Sequence, residues 1–148
     1  YVQLVANWTY SWTWRGRNMS GALEYHFNGF GQQDGRYDPE SLAENPDLLE
    51  RLARGETFTL GRHYFAGSVL IEMTPLWTLT PTLLANIGDP SALLQLVTSR
   101  SLSDEVTCLG SLNVPIGPGG SEFGGIASGN GLYLSSGPGV FAQLAWYF

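Results

Sequence analysis

The first fourteen residues, YVQLVANWTYSWTW, alternate apolar and polar almost without a break. Val2, Leu4, Ala6, Trp8, Tyr10, Trp12 and Trp14 fall on one face. Tyr1, Gln3, Val5, Asn7, Thr9, Ser11 and Thr13 fall on the other. A period of two residues is that of a β-strand, and the usual strand holds it for only about five or six residues. The segment carries no Lys, Arg, Asp or Glu. The last strand, apolar on one face to its final residue Phe148, must be paired and its outer face covered.

The same pattern recurs down the chain. In SGALEYHFNGFG, Leu23, Tyr25 and Phe27 oppose Glu24, His26 and Asn28. HYFAGSVLIEM reads as a third strand and LWTLTPTLLANI as a fourth, although Pro81 removes a ladder hydrogen bond from the middle of the latter. SALLQLVTSRSL and VTCLGSLNVPIG make two more. The chain ends FAQLAWYF, with Val140, Ala142, Leu144, Trp146 and Phe148 on one face. This gives about seven strands. Residues 15–20, 74–76 and 103–105 are short turns, which alternate with connections at 31–61, 88–91 and 115–137. If neighbours are antiparallel, the three short turns share one end and both long loops share the other.

Segment 31–61 holds most of the charge. Asn45-Pro46 predicts a short helix closed by Gly55, with Leu48, Leu49 and Leu52 as its apolar side, and Asp38-Pro39 predicts a shorter helical turn. The 115–137 loop is rich in Gly and Ser and reads as mobile.

Composition narrows the function. Lys+Arg number 7 against 13 Asp+Glu, giving a formal charge of −6 with no basic cluster, which argues against a nucleic-acid partner. Cys108 is the single cysteine, so neither an internal disulfide nor a cysteine metal site is available. The longest apolar stretch, 69–87, is broken by Glu72, Pro75 and Pro81, so no spanning helix is expected. The chain does not begin with Met, which fits a processed form or a piece of something longer.

The aromatics decide the class. Trp12, Trp14, Trp77, Trp146 and Phe148 gather at the short-turn end, and Tyr25, Phe27, Phe30, Tyr64 and Phe65 at the long-loop end. Two aromatic belts around an apolar band, with short turns on one side and long loops on the other, are what a transmembrane β-barrel requires. With these features the chain resembles a bacterial outer-membrane β-barrel protein of porin-like type. The alternating last residues, Val140, Ala142, Leu144, Trp146 and Phe148, resemble that family's C-terminal assembly signal. The resemblance implies a Gram-negative outer-membrane location, lipid and lipopolysaccharide around the barrel, and recognition by the barrel-assembly machinery. It also implies pairing of the last strand with the first and a girdle that includes Trp12, Trp14, Phe27, Phe65 and Trp77. A homo-oligomer or a larger membrane complex is compatible with it. The expected fold is therefore all-β, a transmembrane antiparallel β-barrel formed by residues 1–148 as a single domain. Seven strands do not close evenly, because Tyr1 would then lie at the outer surface. The chain is thus expected to be the C-terminal part of a larger even-stranded barrel, or to lack one strand of eight. The competing expectation is a soluble barrel or sandwich with its apolar faces inward, yet the polar faces carry almost none of the Lys and Glu that soluble strands show.

Glu24, His26 and Asn28 share the polar face, and Arg62 and Glu72 are expected to join them as lumen-lining residues that set selectivity. A porin-like channel for passive diffusion of small solutes is the leading expectation. A non-conducting structural or accessory barrel acting through its loops or a partner complex is the second, and an outer-membrane lipid hydrolase the third. No Ser lies two residues from His26 or His63, which weighs against catalysis, and no enzyme activity is expected. A metal site from His26, His63 and Glu24 is weakened by the opposite parity of His63 to Arg62 and Glu72, and no cofactor is expected. Arg100 falls on the face of Leu94 and Leu96, where it must snorkel or the register must shift. The acidic 31–61 loop has three candidate roles: a divalent-cation bridge to lipopolysaccharide phosphates, a lumen constriction and a partner contact.

Overall fold

A computed structural model describes residues 2–128, 131–135 and 137–148. The expectations for Tyr1 and for parts of the 115–137 loop lie outside the described residues. Seven strands form one antiparallel sheet: β1 (Gln3–Trp14), β2 (Arg17–Asn28), β3 (His63–Thr74), β4 (Trp77–Asn86), β5 (Ser91–Ser103), β6 (Val106–Ile116) and a last strand, Gly139–Trp146. A small hairpin of β7 (Ile126–Ala127) and β8 (Tyr133–Leu134) precedes the last strand, β9. The sheet order is β1-β2-β3-β4-β5-β6-β9. The expected pairing of the last strand with the first is not found: β1 and β9 are the two edges, and the sheet does not close. Six antiparallel steps separate them, so the edges run in the same direction and cannot pair antiparallel with each other.

The register carries the sequence alternation across the whole sheet. One rung reads Trp8, Leu23, Gly67, Leu83, Leu94 and Val114, each opposite the next. Its apolar face continues to Val140, opposite Leu112, and to Leu144, opposite Cys108. On the other face Ser68 pairs with Thr82, Thr82 with Gln95, and Gln95 with Asn113. Because side chains alternate strictly along a strand, this register keeps one face apolar and the other polar across the sheet; it shifts only beside the short turns, between Glu72 and Thr74 of β3 and between Ser101 and Ser103 of β5.

Pro81 sits in β4 without moving the register. It pairs with Leu96 of β5, while pairing toward β3 lapses between Ser68–Thr82 and Ile71–Leu79. The missing N–H is thus accommodated as a gap in one ladder. The turns are tighter than 15–20 predicts: Arg15 and Gly16 alone connect β1 to β2, both with positive φ (51° and 74°). This is the backbone that suits a two-residue hairpin, and the strands extend into RGRNMS accordingly.

Both predicted helices are present. α1 (Pro39–Ala43) has Asp38 as its N-cap, accepting from the Ser41 N–H at 3.0 Å. That bond holds the Asp38 carboxyl below its ordinary pKa. α2 (Pro46–Ala53) is capped by Asn45, whose side chain accepts from the Leu48 N–H, and Gly55 follows its end with φ 69°. Leu48 is fully buried, whereas Leu49 is 40% exposed. The buried apolar residues are Tyr37, Leu48, Leu60 and Tyr64, so the small core sits at the long-loop end, against the polar face.

Candidate functional site

Four polar-face positions meet in one rung near the long-loop end. His26 lies opposite Tyr64, Tyr64 opposite Asn86, and Asn86 opposite Ser91. Strand pairing alone brings these residues, distant in sequence, side by side. Above the rung the 29–62 connection and residues 117–125 fold back onto the polar face and meet at Glu122.

The Glu122 carboxylate gathers three donors. Leu60 N–H donates to Oε1 at 2.8 Å, and Asn86 Nδ2 and the Tyr64 hydroxyl donate to Oε2, the first at 2.7 Å. Asn86 Nδ2 also donates to the Tyr37 hydroxyl at 2.8 Å, and its Oδ1 accepts from Gly88 N–H at 2.8 Å. Gly61 N–H donates to Tyr64 Oη at 2.6 Å. Behind the carboxylate, the Glu122 N–H donates to Asp89 Oδ2 at 2.8 Å, while Ser91 Oγ donates to Asp89 Oδ1. Thus Glu122 ties the second long loop to the first through Leu60, and to the strand ends of β3 and β4 through Tyr64 and Asn86. Asn86, Asp89, Ser91 and Ser121 are buried here, and no buried side-chain polar atom among the described residues lacks a partner.

Burial pushes the Glu122 carboxyl above its ordinary value of 4.5, against the pull of its three donors, and the nearby Asp89 adds to the rise. The Tyr37 hydroxyl is likewise pushed up, first by burial and then by the Glu122 charge. The cluster is a tight polar lock between loops and wall.

The expected lumen residues form a column rather than a ring. Asn28 is fully buried at the loop end, accepting from Phe30 N–H at 3.1 Å and donating to Thr57 and Thr59. His26 lies half-buried below it, with its ring 6.3 Å from that of Tyr64. Glu24 is exposed one rung further down, opposite Asn7 and Ala66. Glu72 is exposed near the short turns and accepts from Asn18 Nδ2 at 2.8 Å. Arg62 stands at the opposite end of the same strand, where its Nε donates to the Gly31 carbonyl at 2.8 Å. It borders a cavity of about 400 Å³ with Gln32, Asp34, Glu44 and Asn45. His63 lies on the apolar face, where its Nδ1 is 2.7 Å from the Tyr25 hydroxyl and its ring 5.2 Å from that of Phe27. Among the described residues no serine hydroxyl bonds to His26 or His63, and no cluster of metal-ligating side chains is present.

The girdle positions Trp12, Trp14, Phe27, Phe65 and Trp77 all fall on the apolar face. Trp12 covers Gly21, where an added Cβ would lie 3.0 Å from its ring. Arg100 stays in register opposite Trp77 and Cys108, with its guanidinium 5.8 Å from the Trp77 ring, and the β5–β6 register shifts just beyond it, between Ser101 and Ser103. The terminal positions Val140, Ala142, Leu144 and Trp146 fall on the apolar face of β9, with Trp146 70% exposed, and Phe148 follows the strand in full exposure.

Sequence reasoning missed Tyr37, Tyr64 as a polar-face residue, Asn86, Asp89, Ser91 and Glu122. One signal was available: Glu122 is the only charged residue between 115 and 137. In the first half of this loop, Ser121 and Gly125 are buried and Gly120 N–H donates to the Gly125 carbonyl at 2.7 Å.

Fold and site together define an all-β protein: an open seven-stranded antiparallel sheet with one apolar and one polar face, locked over by its long loops at one end. No protein-family model matches the chain, and neither a curated protein nor a solved structure does.

Proposed function

We propose that this chain forms the wall of a porin-like channel in a Gram-negative outer membrane, with the polar face lining a path for passive diffusion of small solutes. One observation carries the reading: the register keeps the apolar and polar faces apart over all seven strands, between two aromatic rungs, and shifts only beside the short turns, between Glu72 and Thr74 and between Ser101 and Ser103. Arg17, beside Trp14, and Phe27 stand ten residues apart on β2. That is about 34 Å of strand, or about 26 Å along the normal at a tilt near 40°, which matches the roughly 25 Å apolar band of outer-membrane barrels. Large apolar side chains on that face stay exposed, among them Trp8 at 59%, Leu23 at 42% and Leu94 at 41%. In water such a face is an aggregation surface; in lipid it is the contact surface. On this reading Glu24 and Glu72 give the path cation preference, and the locked loops form its outer constriction.

A second reading has specific support. The loops bury the polar face at Tyr64, Asn86 and Ser91 of the rung and leave His26 half-buried, which suits a plugged, non-conducting barrel that acts through its loops or a partner complex. Single-channel conductance in a planar bilayer tests both. Stepwise cation-selective openings that lose selectivity in E24Q/E72Q support the channel. A folded protein that inserts without conducting overturns it in favour of the plugged form.

A further inference from the structure

All seven basic residues of the chain are arginines, and the fold divides them by task. Arg36, Arg51, Arg54 and Arg62 belong to the 29–62 connection, and each is engaged there. Arg36 pairs with Asp34 at 3.8 Å, Arg51 with Glu56 at 2.7 Å, Arg54 with Glu56 at 3.0 Å, and Arg62 bonds to the Gly31 carbonyl. The other three, Arg15, Arg17 and Arg100, lie at the short-turn end and are exposed. Among the described residues no carboxylate forms an ion pair with them, although Asp104, Glu105 and Glu72 lie at the same end.

Arg17 and Arg100 share more than an end. Arg17 pairs with Trp14, and Arg100 with Trp77, so tryptophan and arginine alternate on the last apolar-face rungs of β1, β2, β4 and β5. Arg15 lies over the Trp14 ring at 4.7 Å and Arg100 over the Trp77 ring at 5.8 Å. A guanidinium on an aromatic face keeps its N–H groups free for phosphate oxygens. Two rungs further in, the same face holds an apolar trough of about 850 Å³, walled by Trp8, Tyr10 and Trp12 and floored by Gly21 and Gly67. Along the strand, Leu96 of the trough is about 14 Å from Arg100, roughly the reach from a lipid phosphate into its acyl chains. Arg17 on β2 and Arg100 on β5 stand three strand spacings apart, about 14 Å, so acyl chains on the trough would place one phosphate beside Arg15 and Arg17 and another beside Arg100.

We propose that the rung of Arg15, Arg17 and Arg100 with Trp14 and Trp77 is a headgroup site for anionic phospholipids of the leaflet at the short-turn side. It rests on the membrane reading above and adds a lipid preference to it. Unpaired cations beside an apolar face match a ligand that is anionic at one end and apolar at the other. Each such arginine is worth about 5-fold in partitioning to an anionic surface, so three are worth on the order of 100-fold.

Folding of the full chain into unilamellar vesicles of phosphatidylcholine, with and without 30% phosphatidylglycerol, tests this, read by flotation and tryptophan fluorescence. The expected result is stronger partitioning into the anionic vesicles that weakens in high salt and falls by more than about 5-fold in R15Q/R17Q/R100Q. R15K/R17K/R100K keeps the charge and should keep the preference, and R36Q/R54Q should leave it unchanged. Equal insertion into both vesicles, or a preference that survives the triple glutamine variant, overturns the proposal while leaving membrane insertion intact. Failure to enter either vesicle overturns both, and circular dichroism separates that outcome from a misfolded variant.

Discussion

At the residue scale the molecule turns on Glu122. Its carboxyl is raised above 4.5 because burial outweighs the three donors that favour its charge. The docked carboxyl therefore holds a proton more tightly than the undocked one. Docking of the 117–125 segment gains as pH falls through the raised value toward 4.5, and that gain is lost as pH rises through it. Proteolysis of the two long loops in the folded protein, followed against pH, should slow on the acid side, and E122Q should flatten the profile. An unchanged profile in E122Q would show that another group governs docking. Asn86 is the second key residue, since its amide serves Glu122, Tyr37 and Gly88 at once. Replacing it by Ala strands buried partners, and N86A should weaken loop docking by about 2–3 kcal/mol. Faster amide exchange at Leu60 and Gly88, with the distant Gly110 unaffected, would show it.

At the element scale, helix α2 buries one residue completely, Leu48, and is further held by Arg51 over the Phe30 ring at 3.7 Å. Leu48 is fully buried while Leu49 is largely exposed, so the helix docks by a narrow stripe. L48A should cost about 2–4 kcal/mol of loop docking and L49A almost nothing, as measured by protease susceptibility near Gly55. Both helices were legible in the sequence, because Asp38-Pro39 and Asn45-Pro46 announce N-caps and Gly55 announces the end. The strands were legible because their period of two is kept for ten or more residues in β1 to β6. Turn limits were not, since RGRNMS looks polar while Asn18 and Met19 continue the ladder opposite Thr13 and Trp12. The lock was not legible either. His26, Tyr64, Asn86 and Ser91 meet only through register across four strands, and Glu122 reaches them from a loop whose composition hides its docking. Periodicity reports which face a residue takes, and long-range docking leaves no periodic trace.

At the scale of the whole molecule, the two open edges set the question of function. β1 and β9 run in the same direction, so closing this sheet into an antiparallel barrel takes an odd number of further strands. With one strand the interior would be filled largely by side chains; with several it would hold water. On the channel reading proposed above, the lock would act in series with either interior. N86A/E122A opens the outer end without touching Glu24, at mid-height of the polar face, or Glu72, near the short turns. In a wide, water-filled barrel the double variant should conduct more than the parent, with longer openings, and keep its cation preference, because the charged column remains. In a narrow barrel the column itself is the barrier, and the double variant should stay as silent as the parent even though its loops become protease-sensitive. Conductance and proteolysis measured together on that one variant therefore separate a gated channel from a filled wall. An increase in protease sensitivity with no current would leave the loops, rather than a path through the sheet, as the working surface of the protein.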